Sequence, residues 1–594
     1  MNETENIFLP VSAAGMRSRG WEAVDVVLVS GDAYVDHPSF GLALIGRWLE
    51  AHGYRVAILA QPRYHRPDDF RRFGRPRLFF GISAGNLDSI VANYTGNAKV
   101  RNHDDYSPGG NPYFGAVAER SQRRRPDRAS LIYAQQARRA YKEVPVILGG
   151  LEASLRRFVH YDYQQRKLRA SILTDAKADL LVYGMGERAV LEVARRLAAG
   201  RGLSGIAGTC ERLPQRQLEA RSAAAEEVVT LPSYQEIIDH NRHFLAAEKE
   251  IEAAARSRRA TPLRQHQQVH WLWQNPPAAP LSSAELDRLY ALPYSRRPHP
   301  EAGQVPAFRM VRDSLTIVRG CCGNCSFCAI ARHQGPEIVS RSVESVVAEA
   351  RRVSGRADFR GTISDLGGPT ANLYATGCAR PGGPCRRHDC LYPKVCRHLR
   401  IDEEKMLALL KAVAELPGVK HLFVSSGLRM ELLLRTPGLL KEIVGRHTPG
   451  TLKIAPEHTE PGVLRLMHKP GGELLEKFLE KLRQLPATTR PRGELVNPYL
   501  ISAHPGCTLP DMEKMAARLR RLGLIPRQFQ DFTPTPGTLA TAMYVSGLDS
   551  ESGKPIYVAR GDHQRRAQRR VLEQLARPAA TAKPAAAKGG KRGR

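Results

Sequence analysis

The sequence predicts an α/β protein built from two units in tandem, an N-terminal doubly wound sheet and a C-terminal barrel-like parallel sheet. Three observations lead to this prediction. Apolar runs alternate with stretches of helical periodicity along most of the 594 residues, a pattern typical of parallel sheets. The length exceeds what a single core usually holds. Glycines follow several of the apolar runs, where ligands reach the carboxyl ends of parallel strands.

The N-terminal unit is predicted over residues 1–225. Residues 24–60 contain two apolar runs, VDVVLVS and YRVAILAQ, and between them SFGLALIGRWLEAHG has helical spacing that ends at Gly53. This order predicts a βαβ unit and therefore a parallel sheet. The glycines of VILGG and VYGMGE follow later strands and indicate either ligand approach or plain turns. Those further strands are predicted at 77–83, 144–150 and 178–187.

Residues 226–306 predict a connector, helical at first and then rich in proline and aromatic residues. Trp271 and Trp273 alternate as they would on a strand, and we expect them to pack between domains rather than to stack on a base. At the other end, residues 573–594 form a basic, low-complexity tail that is predicted to be disordered.

The C-terminal unit is predicted over residues 307–572, where strand and helix patterns alternate again. The active sites of parallel barrels lie at the carboxyl ends of their strands, so residues that follow these strands are candidate site residues. The candidate strands are 314–320, 359–368, 421–428, 451–457, 495–506 and 527–536.

The charge of the chain favours polyanions but has a plainer explanation. Lys and Arg number 89 against 59 Asp and Glu, giving +30 and a pI near 10.0, which would attract RNA. An arginine-rich composition throughout the chain explains the same excess, so RNA remains one candidate partner. No apolar run approaches a membrane span and the N-terminus does not have a signal-peptide layout. We expect a cytoplasmic protein with no membrane partner.

Three cysteines dominate the chemistry of the sequence. Cys321, Cys325 and Cys328 lie in one short loop directly after the apolar run 315–318. Thiolates this close together suit a soft metal centre. Iron–sulfur clusters usually take four cysteines, so three local ligands would leave one position open for a small molecule, as reactive metal sites do. Half of a zinc ribbon is the alternative.

The spacing C-x-x-x-C-x-x-C resembles the signature of radical S-adenosylmethionine (radical SAM) enzymes. The whole chain resembles the YgiQ family of radical SAM proteins, a UPF0313-type group of undefined reaction, through phrases that span residues 25–560. These phrases include VSGDAYVDHPSFG, VPVILGGLEASLRR, RGCCGNCSFCAI, ISDLGGPTANLY and KIAPEHTEPGVL.

The resemblance implies a fold and an activity. The fold would be a cobalamin-binding-like N-terminal domain followed by a partial (β/α)6 radical SAM barrel. The cofactors would be a [4Fe-4S] cluster on Cys321, Cys325 and Cys328 and S-adenosylmethionine on its open iron. A flavodoxin- or ferredoxin-like one-electron reductant would then allow a 5′-deoxyadenosyl radical to abstract hydrogen from an unknown substrate.

The resemblance also implies contacts to S-adenosylmethionine. Gly367 and Gly368 of GGPT resemble the GGEP-type motif that meets the methionine amino group, although the acidic position of that motif is absent here. Ser425, Ser426 and Arg429 resemble the region that meets the ribose and the carboxylate. Glu457 ends the fourth strand, where its carboxylate could accept hydrogen bonds from ribose hydroxyls.

One departure from the superfamily concerns cobalamin. Its cobalamin-binding loop follows D-x-H-x-x-G, whereas this chain has Asp36 and His37 adjacent to each other, followed by Pro38, Ser39, Phe40 and Gly41. A lone histidine in a loop is more often a packing residue than a metal ligand. We therefore expect the chain to lack cobalamin.

A second cysteine group lies in an insert at residues 376–398. Three interpretations stay open for it: an auxiliary iron–sulfur cluster, a structural zinc site, or free redox-active thiols. No interval in the group is the two-residue spacing of zinc ribbons. The cysteines are Cys378, Cys385, Cys390 and Cys396.

Two other functions compete with a radical SAM enzyme acting on a small molecule. The first is a zinc-stabilised RNA-binding protein in which both cysteine groups hold zinc. The second keeps the radical chemistry and makes RNA the molecule that is modified, as the positive charge suggests.

Overall fold

The structure is a computed structural model, and its described residues cover nearly the whole chain with a few gaps. Of the predicted tail, residues 573–576 complete the last helix, and the remainder lies outside the described residues. Within the described part, none of the helices has both the length and the apolar composition needed to cross a bilayer. The described residues are 7–115, 119–256, 261–380, 385, 387, 389–486, 488–489 and 496–576.

The N-terminal half is built on one large sheet. In the described residues, nine strands form it in the order β10-β11-β12-β9-β8-β5-β4-β1-β3. Strand β1 pairs in parallel with β3 and with β4, whereas β9 and β12 run antiparallel to their neighbours. The strands are β1 (Val26–Ser30), β2 (Val35–Asp36), β3 (Val56–Ala60), β4 (Phe79–Ser83), β5 (Val146–Leu148), β6 (His160–Asp162), β7 (Lys167–Arg169), β8 (Leu180–Val182), β9 (Thr209–Leu213), β10 (Val229–Leu231), β11 (Leu263–His266), β12 (Trp271–Gln274) and β13 (Arg297–Pro298).

Helices cover both faces of this sheet. Alternate side chains of β1 enter two different cores: Val27 and Val29 join one, and Val26 and Leu28 join the other. A strand buried on both faces reads as a continuous apolar run, which explains VVLVS. The helices are α1 (Ala13–Ser18), α2 (Gly41–Glu50), α3 (Ser89–Asn93), α4 (Ala129–Ala140), α5 (Gly150–Leu155), α6 (Ile172–Ala176), α7 (Glu187–Ala198), α8 (Gln215–Ala223), α9 (Tyr234–Asp239), α10 (Asn241–Arg256), α11 (Ser283–Ala291) and α12 (Pro306–Val311).

Residues 226–306, which the sequence predicts to be a connector, contribute three strands to the N-terminal sheet. Strand β12 pairs with β9 and with β11, and β10 forms the edge. Trp273 is buried against Leu213 and Leu218 within this unit. The strands are short and polar, as in LRQH, so their alternating burial is hard to recognise before the neighbouring strands are known.

The C-terminal half has parallel strands in each of the six regions predicted for them. Parallel pairs join β14 to β18, β17 to β21, and β22 to β23 to β24, and a parallel bridge joins Leu428 to Ile454. The strands are β14 (Ser314–Thr316), β15 (Val318–Arg319), β16 (Val339–Ser340), β17 (Thr362–Ile363), β18 (Asp365–Gly367), β19 (Thr376–Cys378), β20 (Leu399–Ile401), β21 (His421–Leu422), β22 (Leu452–Glu457), β23 (Val496–Ser502) and β24 (Gln528–Asp531).

Amphipathic helices pack against these strands and form one core with them. Leu315, Ile363 and Leu422 from three strands share that core with Leu409 and Leu479 from the helices. Neighbouring strand ends therefore lie side by side at one edge. The helices are α13 (Ala329–Gln334), α14 (Val343–Ser354), α15 (Glu403–Ala414), α16 (Met430–Leu433), α17 (Pro437–Arg446), α18 (Pro461–Leu466), α19 (Glu473–Arg483), α20 (Leu509–Arg521), α21 (Leu539–Ser546) and α22 (Asp562–Ala576).

Candidate metal and ligand site

A tight loop after β15 carries the first three cysteines. Gly320 opens the loop with φ +81°, and a Cβ there would lie 1.7 Å from the carbonyl oxygen of Glu337, so only glycine fits. The Cys321 N–H donates to the Gly335 carbonyl, 3.1 Å, and the Cys328 N–H donates to the Cys325 carbonyl, 3.0 Å. The loop therefore turns back on itself between β15 and α13.

Other segments fix this loop from outside. The backbone N–H of Ser326 donates to Met467, 3.1 Å, and its hydroxyl donates to the Leu466 carbonyl, 2.7 Å. The N–H of Asn324 donates to the carboxylate of Asp389, 2.8 Å. A backbone held at several points pre-positions its side chains for a ligand.

Arg429 contacts two of the three thiols. Its Nη2 lies 3.3 Å from Cys325 Sγ and 4.0 Å from Cys321 Sγ, and its Nη1 donates to Glu431, 2.9 Å. Burial alone would lower the pKa of Arg429, but Cys325, Cys321 and Glu431 together hold that pKa well above its ordinary value. A buried guanidinium favours the thiolate form, which is the form that binds metal.

The donor set suits an iron–sulfur cluster. Cys321 and Cys325 are buried and Cys328 is half-buried, and burial raises the pKa of Cys328 to about 11. In the described residues, no group of three or more His, Cys, Asp or Glu side chains is already drawn together as metal ligands. The three thiols share one loop, and ligands that are not preassembled can be ordered by the metal as it binds.

Gly367 and Gly368 lie where β18 ends beside the strand that leads into the cysteine loop. A Cβ on Gly368 would lie 2.6 Å from both Val318 Cγ1 and the Val318 carbonyl oxygen, and a Cβ on Gly367 would lie 2.3 Å from Asp365 Oδ2. Neither position has room for a side chain. Contact with Val318 at Gly368 and with the Asp365 and Ser426 side chains at Gly367 explains both glycines without a ligand. A glycine also lets a ligand approach the backbone closely.

Asp365 is a site residue that sequence reasoning missed. Its carboxylate accepts the N–H groups of Ser425, 2.8 Å, and Ser426, 3.2 Å, and also the Ser426 hydroxyl. Burial raises the pKa of Asp365. The sequence signal that could have identified it is a carboxylate at the start of β18, two positions before the glycine pair. The predicted serines are thus positioned by a carboxylate on the neighbouring strand.

Glu457 combines burial with an unusual backbone. It ends β22 at φ +65°, a left-handed conformation that is strained for any residue except glycine. The side chain is 8% exposed. Its Oε2 has no hydrogen-bond partner among the described residues, and Lys469 Nζ lies 3.9 Å from Oε1. Burial raises the pKa of this carboxyl. Strain together with an unsatisfied buried oxygen is typical of a ligand contact.

A cavity of about 570 Å³ lies between the two halves. Its N-terminal wall is formed by the carboxyl ends of β1, β4, β5 and β8, and the cavity reaches Gly149 and Gly184 there. Gly367, Gly368 and Ser426 line the opposite wall, whereas the three cysteines, Arg429 and Glu457 do not. The predicted residues thus fall into two groups, one facing the cavity and one nearer the thiols.

An ion pair closes one side of this cavity. Arg319 Nη1 lies 2.6 Å from Glu187 Oε1, and both side chains are buried. Arg319 belongs to the C-terminal half and Glu187 to the start of α7, so the pair joins the two halves at the cavity wall. A buried pair of this kind fixes relative orientation more reliably than it adds stability.

The loop that departs from the cobalamin-binding pattern, residues 36–41, holds His37 inside the protein. His37 is fully buried, its Nδ1 accepts the N–H of Ser39, 3.1 Å, and its ring packs edge-on against Phe308. These contacts are those of a packing residue. The absence of cobalamin stays a prediction.

The second cysteine group lies directly beside the first loop. The N–H of Cys390 donates to the carbonyl of Cys322, 3.0 Å, and the two thiols share a hydrogen bond that lowers the pKa of Cys390 to about 7. All ten cysteines are free in the structure. The insert therefore forms part of the wall around the metal loop.

Comparisons with known proteins bear on both halves. A family model described as radical SAM N-terminal matches residues 8–314, and a domain of unknown function matches residues 527–576. A UPF0313 protein from Geobacter sulfurreducens is 48% identical over 568 residues, covering 95% of this chain and 92% of its own. A UPF0313 protein from Thermotoga maritima is 44% identical over 562 residues, covering 93% and 96%.

Solved structures resemble the chain more distantly. The radical S-adenosylmethionine methyltransferase TsrM from Kitasatospora setae, solved with tryptophan and a SAM analog, is 14% identical. The match covers 93% of this chain and 89% of that one with a TM-score of 0.49. The same enzyme has also been solved with cobalamin and a [4Fe-4S] cluster bound. A likeness of this extent does not indicate what the present chain binds.

Proposed function

The chain belongs to the UPF0313 family, and from this premise we propose that it is a radical SAM enzyme whose substrate is unassigned. Cys321, Cys325 and Cys328 would ligate three irons of a [4Fe-4S] cluster, and S-adenosylmethionine would occupy the fourth. When bound and reduced, these cofactors supply a 5′-deoxyadenosyl radical that abstracts hydrogen. The observation that carries the proposal is the anchored three-cysteine loop with its buried Arg429 contact.

The residues of the chain would divide the work in a definite way. Arg429 would stabilise the negative charge of the thiolates. Gly367 and Gly368 would expose backbone to the methionine end of S-adenosylmethionine, and Ser426, oriented by Asp365, would line the same wall. The unpartnered Oε2 of Glu457 would accept hydrogen bonds from the ribose hydroxyls. The strands around them would form a partial (β/α)6 barrel.

The cavity between the halves is the proposed substrate site. It begins at Gly367, Gly368 and Ser426 and extends to the strand ends of the N-terminal sheet, which is where doubly wound sheets bind ligands. A substrate there would lie beside the proposed S-adenosylmethionine site, next to the place where the radical would form.

Anaerobic reconstitution tests the proposal. We expect a brown protein containing iron and sulfide that converts S-adenosylmethionine to methionine and 5′-deoxyadenosine when a strong reductant is added, as measured by chromatography and mass spectrometry. A colourless protein holding zinc alone and binding RNA would instead support the zinc-stabilised RNA-binding alternative. An iron-loaded protein that never forms 5′-deoxyadenosine would contradict the proposal.

Glu457→Gln should weaken the binding of S-adenosylmethionine about tenfold, because a hydrogen bond to a charged acceptor contributes roughly 1.5–3 kcal/mol. The amide keeps the size of the side chain, so the fold should be retained. Isothermal titration of the reconstituted protein measures the affinity. Glu460→Gln, a half-buried carboxyl three residues along, is the matched control and should bind normally. A lower melting temperature with unchanged affinity would indicate a purely structural Glu457.

A further inference from the structure

The cysteine-rich insert has little structure of its own to hold it together. Strands β19 and β20, which flank it, pair over only three positions, ending with Cys378 opposite Leu399. The described residues between them contain no helix and no further strand. Hydrogen bonds of Asp389 and Arg387 hold part of the insert. Its cysteines are free thiols, which a bound metal could join.

Backbone hydrogen bonds bring the cysteines of the insert near one another. Leu399, opposite Cys378, donates its N–H to the Cys396 carbonyl, 3.1 Å, and Cys396 donates its N–H to the Cys390 carbonyl, 2.8 Å. Two backbone hydrogen bonds and one strand pairing therefore link the segments that carry Cys378, Cys390 and Cys396. Cys385 lines the same cavity of about 360 Å³ as Cys378 and Cys390.

The surroundings of this cavity favour a negatively charged centre. Arg256, Arg332 and Arg387 line it together with Cys378, Cys385 and Cys390. The Arg332 side chain is 7% exposed, and its Nη1 has no hydrogen-bond partner among the described residues, although Glu252 neutralises part of its charge. A cationic wall stabilises thiolates and the clusters they hold.

We propose that Cys378, Cys385, Cys390 and Cys396 hold a second iron–sulfur cluster. The four thiolates would supply a complete ligand set, and their intervals of six, four and five residues lack the two-residue spacing typical of zinc ribbons. These thiols are not preassembled in the described residues, but neither are those of the first loop. Metal binding often orders such ligands as it occurs. The proposal does not depend on S-adenosylmethionine chemistry.

Metal counting on matched variants tests this inference. Anaerobically reconstituted wild type should hold about eight iron and about eight sulfide ions per chain, the content of two cubane clusters. The insert variant Cys378→Ala/Cys396→Ala should keep about four irons, and so should the loop variant Cys321→Ala/Cys325→Ala/Cys328→Ala. Cys210→Ala, a fully buried thiol of the N-terminal sheet, is the control and should keep all of them.

The outcomes separate this proposal from the proposed function. Zinc at the insert, or a folded loop variant without iron, would overturn the second cluster. An iron-free first loop with an iron-loaded insert would overturn the radical SAM proposal alone. If circular dichroism shows that the insert variant is unfolded, wild type still decides the question. About eight irons per wild-type chain would support two clusters, and about four would refute them.

Discussion

Cys325→Ala should reduce the formation of 5′-deoxyadenosine to the level of an enzyme-free control. Cys325 is the buried middle member of the trio, and its thiol makes the closest contact with Arg429, 3.3 Å. A cluster with only two protein ligands at this loop loses its attachment, because three cysteines are already one fewer than iron–sulfur clusters usually take. Product is measured after anaerobic reconstitution with S-adenosylmethionine and a strong reductant.

The neighbouring thiol provides the control for this experiment. Cys322→Ala removes a buried thiol from the same loop, next to Cys321. The Cys322 thiol contacts Cys390 of the insert. We expect this variant to keep the iron of the first loop and to form 5′-deoxyadenosine. If both variants lost 5′-deoxyadenosine formation equally, the loop itself would be damaged. If Cys325→Ala formed as much 5′-deoxyadenosine as Cys322→Ala, Cys325 would be excluded as a ligand.

Arg429→Met should destabilise the metal-free protein by about 3–5 kcal/mol, the usual cost of removing one partner from a buried ion pair. The substitution leaves the Glu431 carboxylate, 7% exposed, without its cation. It also removes the positive charge next to Cys321 and Cys325, so iron should be retained less well after reconstitution. Thermal unfolding followed by circular dichroism and iron counting give the two measurements.

Two further variants separate the effects of stability and metal binding. Arg429→Met/Glu431→Gln removes both charges and should recover part of the lost stability, because no buried charge is then left unpaired, but it should not recover the iron. Arg435→Met, which removes an exposed arginine six residues along, should change neither property. Normal iron content in the Arg429→Met protein would contradict a role for this arginine at the thiols.

Local patterns were sufficient for strongly apolar strands such as β1 and for the cysteine trio. The run VVLVS marks a strand buried on both faces because its consecutive apolar side chains enter two cores, and periodicity reports such burial directly. The three cysteines are close in the chain, so their spacing alone places them in one loop. UPF0313 membership could likewise be predicted from motifs.

The polar contacts of the site needed the fold. The Asp365 carboxylate accepts hydrogen bonds from Ser425 and Ser426, about sixty positions further along the chain. The contact of Arg429 with Cys325 spans 104 positions. Each partner has an ordinary local sequence, so no local pattern distinguishes it. The strands at 229–231 and 263–266 were missed for a related reason, since pairing with neighbouring strands decides such short strands more than propensity does. The alternation of Trp271 and Trp273 did not by itself place 271–274 in the N-terminal sheet.

The sequence by itself determined the α/β character and the family, and it predicts the ligands of the proposed first cluster, because periodicity and short spacing are properties of neighbouring residues. The tertiary structure alone decided that Glu187 and Arg319 meet at a cavity between the halves, that Glu457 is buried with an unpartnered oxygen, and that the insert lies against the cysteine loop. Burial and charge pairing depend on which distant segments pack together, and that is set by the whole core.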